Sequence, residues 1–370
     1  MKPEDKPYVE LGTTYSRGAI GGAPVTDLQA EILKMLFSPE EAHVAASLDF
    51  VPEAEEVVAK RAGMDPDVAA DLLTRMASRA LIRGVKQPDG VRVFRNLLFI
   101  PGLFEMVHIV PSPAVDMEKL GGLFEKYFQE GWGRAMHGHK VPIGRALPPI
   151  GPPKEAVLPH EDVVKIVEQA PVAVLVDCTC REAVRKCDCP IDICMGLGQG
   201  MLGGAIEGAP VMEPKYMVGV PHARVLSIDE AVHILERAEK AGLVHVTMNF
   251  QEDSWLICNC CSHACFLLRG ASELDIPHAV APSSFWSVID EDGCTGCGAC
   301  EPACPMLAIS MEDHVAKVDY ERCLGCGVCV SSCLPEAIRL EKRGEEVYTP
   351  YVDYNELVGA LGRTQAVHTH

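Results

Sequence analysis

The chain has 370 residues, of which 48% are apolar and 23% charged, with a formal charge of −19. This composition fits a globular protein of two or three domains, and the acidic balance disfavours nucleic acid and anionic membranes as partners. No apolar run approaches the ~20 residues of a transmembrane helix, because the most apolar stretch, residues 96–115, is broken by Pro101, Glu105, His108, Pro111 and Pro113. The opening Met1-Lys2-Pro3-Glu4-Asp5 has no apolar signal core. The seventeen cysteines are an odd number grouped at metal-binding spacings. Thiols held by metal in a reducing, cytoplasmic setting are expected.

Residues 26–105 read as three helices followed by a hairpin. Leu28, Ile32, Leu33 and Leu36 form one helical stripe. Ser38-Pro39-Glu40-Glu41 has the capping-box pattern, with proline at the first helical position. A helix is predicted from Pro52 to Ala62, stopped by Gly63, and another from Asp65-Pro66 with Val68, Leu72, Leu73, Met76 and Leu81 inward. Strands at 82–87 and 91–98 flank the turn signal Pro88-Asp89-Gly90. Helices followed by a two-stranded wing resemble a winged-helix domain, here spanning 1–115. In DNA-reading members the third helix enters the major groove. In this chain that helix opens with Asp65, Asp67 and Asp71, with Arg75, Arg79 and Arg83 toward its far end. A packing or docking module is expected in place of a DNA reader.

A helix near Met117–Gln129 and a stretch with six prolines, 141–160, fill a connecting region at 116–159. The middle domain, 160–280, is read as α/β. It has a helix at 161–169, a strand at 172–176 leading into cysteine, a helix at 228–241 between Ser227 and Gly242, and strands at 244–250 and 255–257. It holds nine cysteines in two sequence groups: Cys178, Cys180, Cys187, Cys189 and Cys194, then Cys258, Cys260, Cys261 and Cys265. Their density points to metal. One or two further [4Fe–4S] clusters are expected, with structural zinc as the alternative. A first set would draw on Cys180, Cys187 and Cys194 with Cys178 or Cys189, and a second on Cys258, Cys260, Cys261 and Cys265. Adjacent Cys260 and Cys261 point to opposite faces of a strand, so the groups could share ligands. His263 is a possible ligand or an exposed residue. Arg181 could donate to cluster sulfur or lie on the surface.

Two runs follow: Cys294-x2-Cys297-x2-Cys300-x3-Cys304-Pro305 and Cys323-x2-Cys326-x2-Cys329-x3-Cys333. This is the spacing of the bacterial ferredoxin run, in which the fourth cysteine ligates the other cluster. One [4Fe–4S] cluster is assigned to Cys294, Cys297, Cys300 and Cys333, the other to Cys323, Cys326, Cys329 and Cys304. Gly296, Gly298, Gly325 and Gly327 lie between ligands, where the backbone must fold tightly. Zinc would use two CxxC pairs and leave the third and fourth cysteines of each run unexplained. Roughly residues 283–342, within a domain read as 281–345, resemble the two-cluster bacterial ferredoxin domain, which implies two βα-type half-repeats and low-potential electron transfer. The second run departs from the pattern, with its proline one residue late at Pro335. Residues 346–370 are read as a tail.

The expected fold class is therefore α+β: a winged-helix-like head, a cysteine-rich α/β middle and a ferredoxin-like dicluster domain. The whole looks like multidomain iron–sulfur proteins of anaerobes. That resemblance implies electron relay to redox partner proteins, as a subunit or partner of a larger oxidoreductase and not as an integral membrane protein. A reductase or lyase with a substrate-binding middle cluster is one alternative, and a redox-sensing winged-helix regulator is another. Cys194-Met195 precedes Gly198-x-Gly200-x2-Gly203, where no strand is expected, and Glu207 and Glu213 come too early for the acid of a dinucleotide site. His137-x-His139 and His368-x-His370 are weak metal candidates.

Overall fold

The computed structural model describes residues 3–18, 22–87, 89–151, 157–198, 223–344 and 348–367. The chain forms two compact units. The first holds residues up to 136 with 182–184, and the second holds most of the rest. Most of the glycine-rich match at 198–203 and the terminal His368 and His370 lie outside the described residues.

The first unit begins with α1 (Lys6–Ser16), which carried no strong sequence signal, followed by α2 (Asp27–Leu36) and α3 (Pro39–Ala46). Ser38 and Glu41 close the predicted capping box at the start of α3. The next helix starts three residues later than expected. Glu53–Ala54 instead form β1, pairing with Phe94 and Val93, and α4 runs Glu55–Ala62 to a left-handed Gly63. Asp65 caps α5 (Pro66–Ser78) by accepting the amides of Asp67 and Val68. Leu72, Leu73 and Met76 are buried, whereas Val68, expected inside, is 51% exposed because it sits on the outer side of the first turn. The predicted strand pair, β2 (Ile82–Lys86) and β3 (Arg92–Asn96), is shorter than expected, and Leu97 and Leu98 leave it to enter the core. The sheet order is β1-β3-β2. The apolar stretch that follows builds an aromatic core. Phe99 and Phe104, the latter opening α6 (Phe104–Ile109), meet Phe124 and Tyr127 of α7 (Met117–Tyr127) and Trp132 before α8 (Gly133–His137). Phe99 stands edge-on to Trp132 at 5.3 Å.

The second unit is organised on a seven-stranded sheet, ordered β10-β4-β8-β9-β6-β5-β7. The proline-rich connector contributes β4 (Gly144–Ala146), which pairs with β8 (Val244–Met248) and with β10 (Val280–Ala281), so it is part of the core rather than a free spacer. Buried Arg145 donates to the carbonyls of His160 and Phe250. After α9 (Val163–Gln169) come β5 (Ala173–Asp177), the short α10 (Thr179–Val184), β6 (Asp192–Leu197) and β7 (Arg224–Leu226). Ser227 and Glu230 box the start of α11 (Ile228–Lys240). β9 (Leu256–Cys260) lies between β8 and β6, and α12 (Phe266–Ser272) follows it.

The last cysteine runs sit in two hairpin-like pairs. β11 (Phe285–Ile289) pairs with β14 (Ile338–Lys342), and β12 (Ile309–Glu312) with β13 (Val315–Val318). Single-turn helices α13 (Cys300–Ala303) and α14 (Val328–Ser331) carry the third cysteine of each run. This is the repeated arrangement expected from the sequence. Residues read as a tail form α15 (Tyr354–Val367), with Leu357 and Leu361 buried and Tyr354 packed 4.6 Å from Trp255.

Candidate iron–sulfur and metal centres

The two C-terminal runs fold around two small cavities. Cys294, Cys297, Cys300 and Cys333 line one, and Cys304, Cys323, Cys326 and Cys329 line the other. Each therefore draws three cysteines from one run and the fourth from the other. Glycine is demanded between them at two places. Gly296 (φ +70) and Gly325 (φ +66) are left-handed, and a Cβ would come 2.4 Å from the His314 carbonyl oxygen and 2.0 Å from that of Phe285. The late proline of the second run changes little. Leu307 and Glu336, each three residues after the fourth cysteine of its run, have φ of 53° and 56°.

Polar groups converge on these sulfurs. The Ala308 amide donates to Cys304 Sγ at 3.3 Å, and Ser287 Oγ lies 3.0 Å from Cys329 Sγ. Burial pushes the Cys329 thiol up to about 12, partly offset by the Ser287 hydroxyl, and burial also raises Cys326 and Cys304. Buried thiolates of this kind need a cation beside them. Four convergent sulfurs, backbone donors and a glycine-lined cradle fit a [4Fe–4S] cube in each cavity. Ser287 carried no signal in the sequence.

The middle cysteines regroup across the sheet. The second sequence group does not follow a strand as expected, since Cys258 and Cys260 lie within β9, two residues apart and on one face. Cys194 lies on neighbouring β6, a strand not foreseen, and its thiol donates to Cys258. Cys178 and Cys180 open α10, and Cys265 opens α12. These six thiols form a continuous set: Cys178 meets Cys180 and Cys194, Cys180 meets Cys265, and Cys265 Sγ lies 3.0 Å from Cys260 Sγ. Hydrogen bonds shared with Cys180 and Cys260, and the amides of Leu268 and Leu267, hold Cys265 well below the usual thiol range. Cys258 is drawn down to about 6 by Cys194 and Cys260.

The remaining three cysteines sit apart from that set. Cys187, Cys189 and Cys261 place their sulfurs, with a ring nitrogen of exposed His263, within 4.8 Å of one another. Cys187 and Cys261 are 3.7 Å apart. Thus Cys260 and Cys261 lie in different thiol groups, and Cys187 lies beside Cys261.

Arg181 joins the two groups and is buried, not on the surface. It donates to the carbonyls of Pro190 and Asn259 at 2.8 and 2.7 Å. Burial opposes its charge, but the sulfurs of Cys178, Cys261 and Cys194 raise its pKa overall. Asn259 in turn donates to the Ile193 carbonyl and contacts His245. His137, a weak metal candidate, has its Nε2 engaged by the Phe266 carbonyl at 2.8 Å.

The thiol-rich regions share apolar packing. Cys260 and Cys265 belong to the same buried cluster as Cys323, Leu324 and Val328, with Cys258, Cys304 and Cys326 packed on its edge. A second cluster joins Cys300, Cys329 and Ile338 to Cys294, Cys304 and Cys333.

The family model described as a 4Fe-4S dicluster domain matches residues 279–340, roughly a sixth of the chain. No curated protein matches the chain. The chain thus carries a [4Fe–4S] dicluster domain near its C-terminus in a mixed α+β structure, and its cysteine groups suggest iron–sulfur electron transfer. Among the described residues, no helix is long and apolar enough to cross a membrane.

Proposed function

We propose that the chain is an electron relay whose path runs from the dicluster domain into the cysteine-rich middle. Cys294, Cys297, Cys300 and Cys333 would hold one cube, and Cys323, Cys326, Cys329 and Cys304 the other. A further cluster would be held within the set Cys178, Cys180, Cys194, Cys258, Cys260 and Cys265. When bound, such clusters accept and pass on single electrons at potentials set by burial and by hydrogen bonds to sulfur.

The observation that carries this reading is continuity. Cys304 belongs to the edge of both buried clusters, so one side leads to the cavity of Cys294 and Cys300 and the other to Cys260 and Cys265. The protein supplies sulfur ligands at each step, packed against buried apolar side chains. The enzyme reading needs an iron short of a thiol, and six gathered thiols argue against it.

The head is read as a winged-helix-like docking module for a redox partner in the cytoplasm of an anaerobe. The arginines that would face DNA are engaged: Arg79 pairs with Glu41 at 2.6 Å and Arg75 with Asp71 at 3.6 Å. The chain's formal net charge of −19 suits a basic partner patch. The test is iron and sulfide per chain with EPR of the dithionite-reduced protein after anaerobic purification. About twelve irons and three interacting signals are expected. A value of about eight, with no signal lost on changing the middle cysteines, would remove the middle from the relay.

A further inference from the structure

We propose that Cys187, Cys189, Cys261 and His263 form a mononuclear zinc site, separate from the iron–sulfur centres. The donor set is three thiols and one imidazole, a combination that structural zinc sites use.

Spacing decides between one ion and a cube. At a Zn–S length of ~2.3 Å, tetrahedral ligands stand about 3.7–3.8 Å apart. The Cys187 and Cys261 sulfurs are 3.7 Å apart, and all four donor atoms lie within 4.8 Å of one another. A cube places iron and sulfide between its four ligands and forces them further apart, so four donors that all lie this close together have room for a single ion, a condition that one close pair such as Cys260 and Cys265 does not by itself meet. A disulfide would need ~2.05 Å, and the cysteines are unbridged. The donors also come from two separate segments, the loop after α10 and the turn after β9, which the ion would tie together.

The charge is suitable. Zinc with three thiolates carries one net negative charge, and the buried Arg181 guanidinium lies against Cys261. Exposed His263 leaves the site open to metal from solvent. Binding releases thiol protons to water and involves no change of oxidation state. Through Arg181, which also donates to Asn259 on β9, the site would steady the strand that bears Cys258 and Cys260. Its role is to brace the neighbouring cluster set, not to carry electrons.

The test uses the full chain, produced with zinc and iron supplied and purified anaerobically. About one zinc per chain is expected beside the iron. Cys187→Ser with Cys189→Ser should lose the zinc at least tenfold while iron and the dicluster EPR signals stay unchanged. His263→Ala, at an exposed position that folding tolerates, should weaken zinc at least tenfold in competition with a chromophoric chelator, and His263→Cys should restore it. Cobalt in place of zinc should give thiolate-to-metal charge-transfer bands that the double variant lacks. Three results would each overturn the site: wild-type chain that takes up no zinc, a single iron ion held there in its place, or loss of about four irons from the double variant.

Discussion

In the dicluster domain each cavity takes three cysteines from a single run of seven residues, and the two halves trade one ligand. In the middle, the six-thiol set takes its members from α10, β6, β9 and α12. The first is built by a tight local fold of the backbone, which requires glycine, while the second is built by strand pairing, which requires the whole sheet. A locally wrapped site should therefore be sensitive to the backbone of one loop. A sheet-built site should be sensitive to which face a side chain takes.

Gly325→Ala gives the largest expected effect, because a Cβ would come 2.0 Å from the Phe285 carbonyl oxygen in a left-handed residue. The cavity of Cys304, Cys323, Cys326 and Cys329 should not load. Iron should fall by about four to eight per chain, and a variant retaining full iron would mean the backbone can yield there.

Cys260 and Cys261 test the face rule with adjacent residues. Cys260→Ser should lower iron by about four per chain, whereas Cys261→Ser should leave iron unchanged. Equal iron loss from both would return the two residues to one ligand set and break the contrast between regions.

Ser287→Ala sharpens the comparison without removing a ligand. The hydroxyl lies 3.0 Å from Cys329 Sγ and favours the more negative, reduced state. Its loss should lower one dicluster potential by roughly 20–60 mV, the one-electron equivalent of ~0.5–1.5 kcal/mol for a hydrogen bond. Protein-film voltammetry would read this, and an unmoved potential would show the hydroxyl points elsewhere.

The smallest effect concerns the seam between the sheet and the dicluster domain, where Glu161 accepts the Ser284 amide at 2.8 Å. Burial, with Arg145 nearby, lowers neighbouring His160 to about 4. An unfolded histidine titrates near ~6.5, so the native state binds fewer protons between those values. Stability from this group is complete above about 6.5 and is lost as pH falls toward about 4. His160→Gln should flatten the thermal midpoint over that window relative to wild type. An identical slope in both proteins would assign the acid loss to other groups.

What was legible follows the same division. Ser38, Asp65, Ser227 and the first three cysteines of each C-terminal run act within a few residues of themselves, so their caps and loops could be read directly. The grouping of Cys187 with Cys261, across 74 residues, depends on how β6 and β9 pair, which no local pattern states. β4 was hidden because prolines around it resemble a spacer, although Gly144–Ala146 needs only three ladder residues. Val68 was assigned inward by helical spacing, but in the first turn of α5 it is Ala69 that is buried, and Val68 lies on the exposed side. Ser287 gave no signal because a strand serine is ordinary until a sulfur lies opposite.

Arg181 bears on how the protein matures. A chain newly made has neutral thiols at Cys178, Cys194 and Cys261, and a guanidinium buried among them would lack a counter-charge. Metal binding at the proposed centres would convert those thiols to thiolates and supply it. Until then the loop carrying Pro190 and the strand carrying Asn259 should close poorly around the arginine, leaving an opening for proteases. The same side chain that braces the finished protein would so act as an inspector of cofactor delivery, letting loaded chains persist and unloaded ones be cleared.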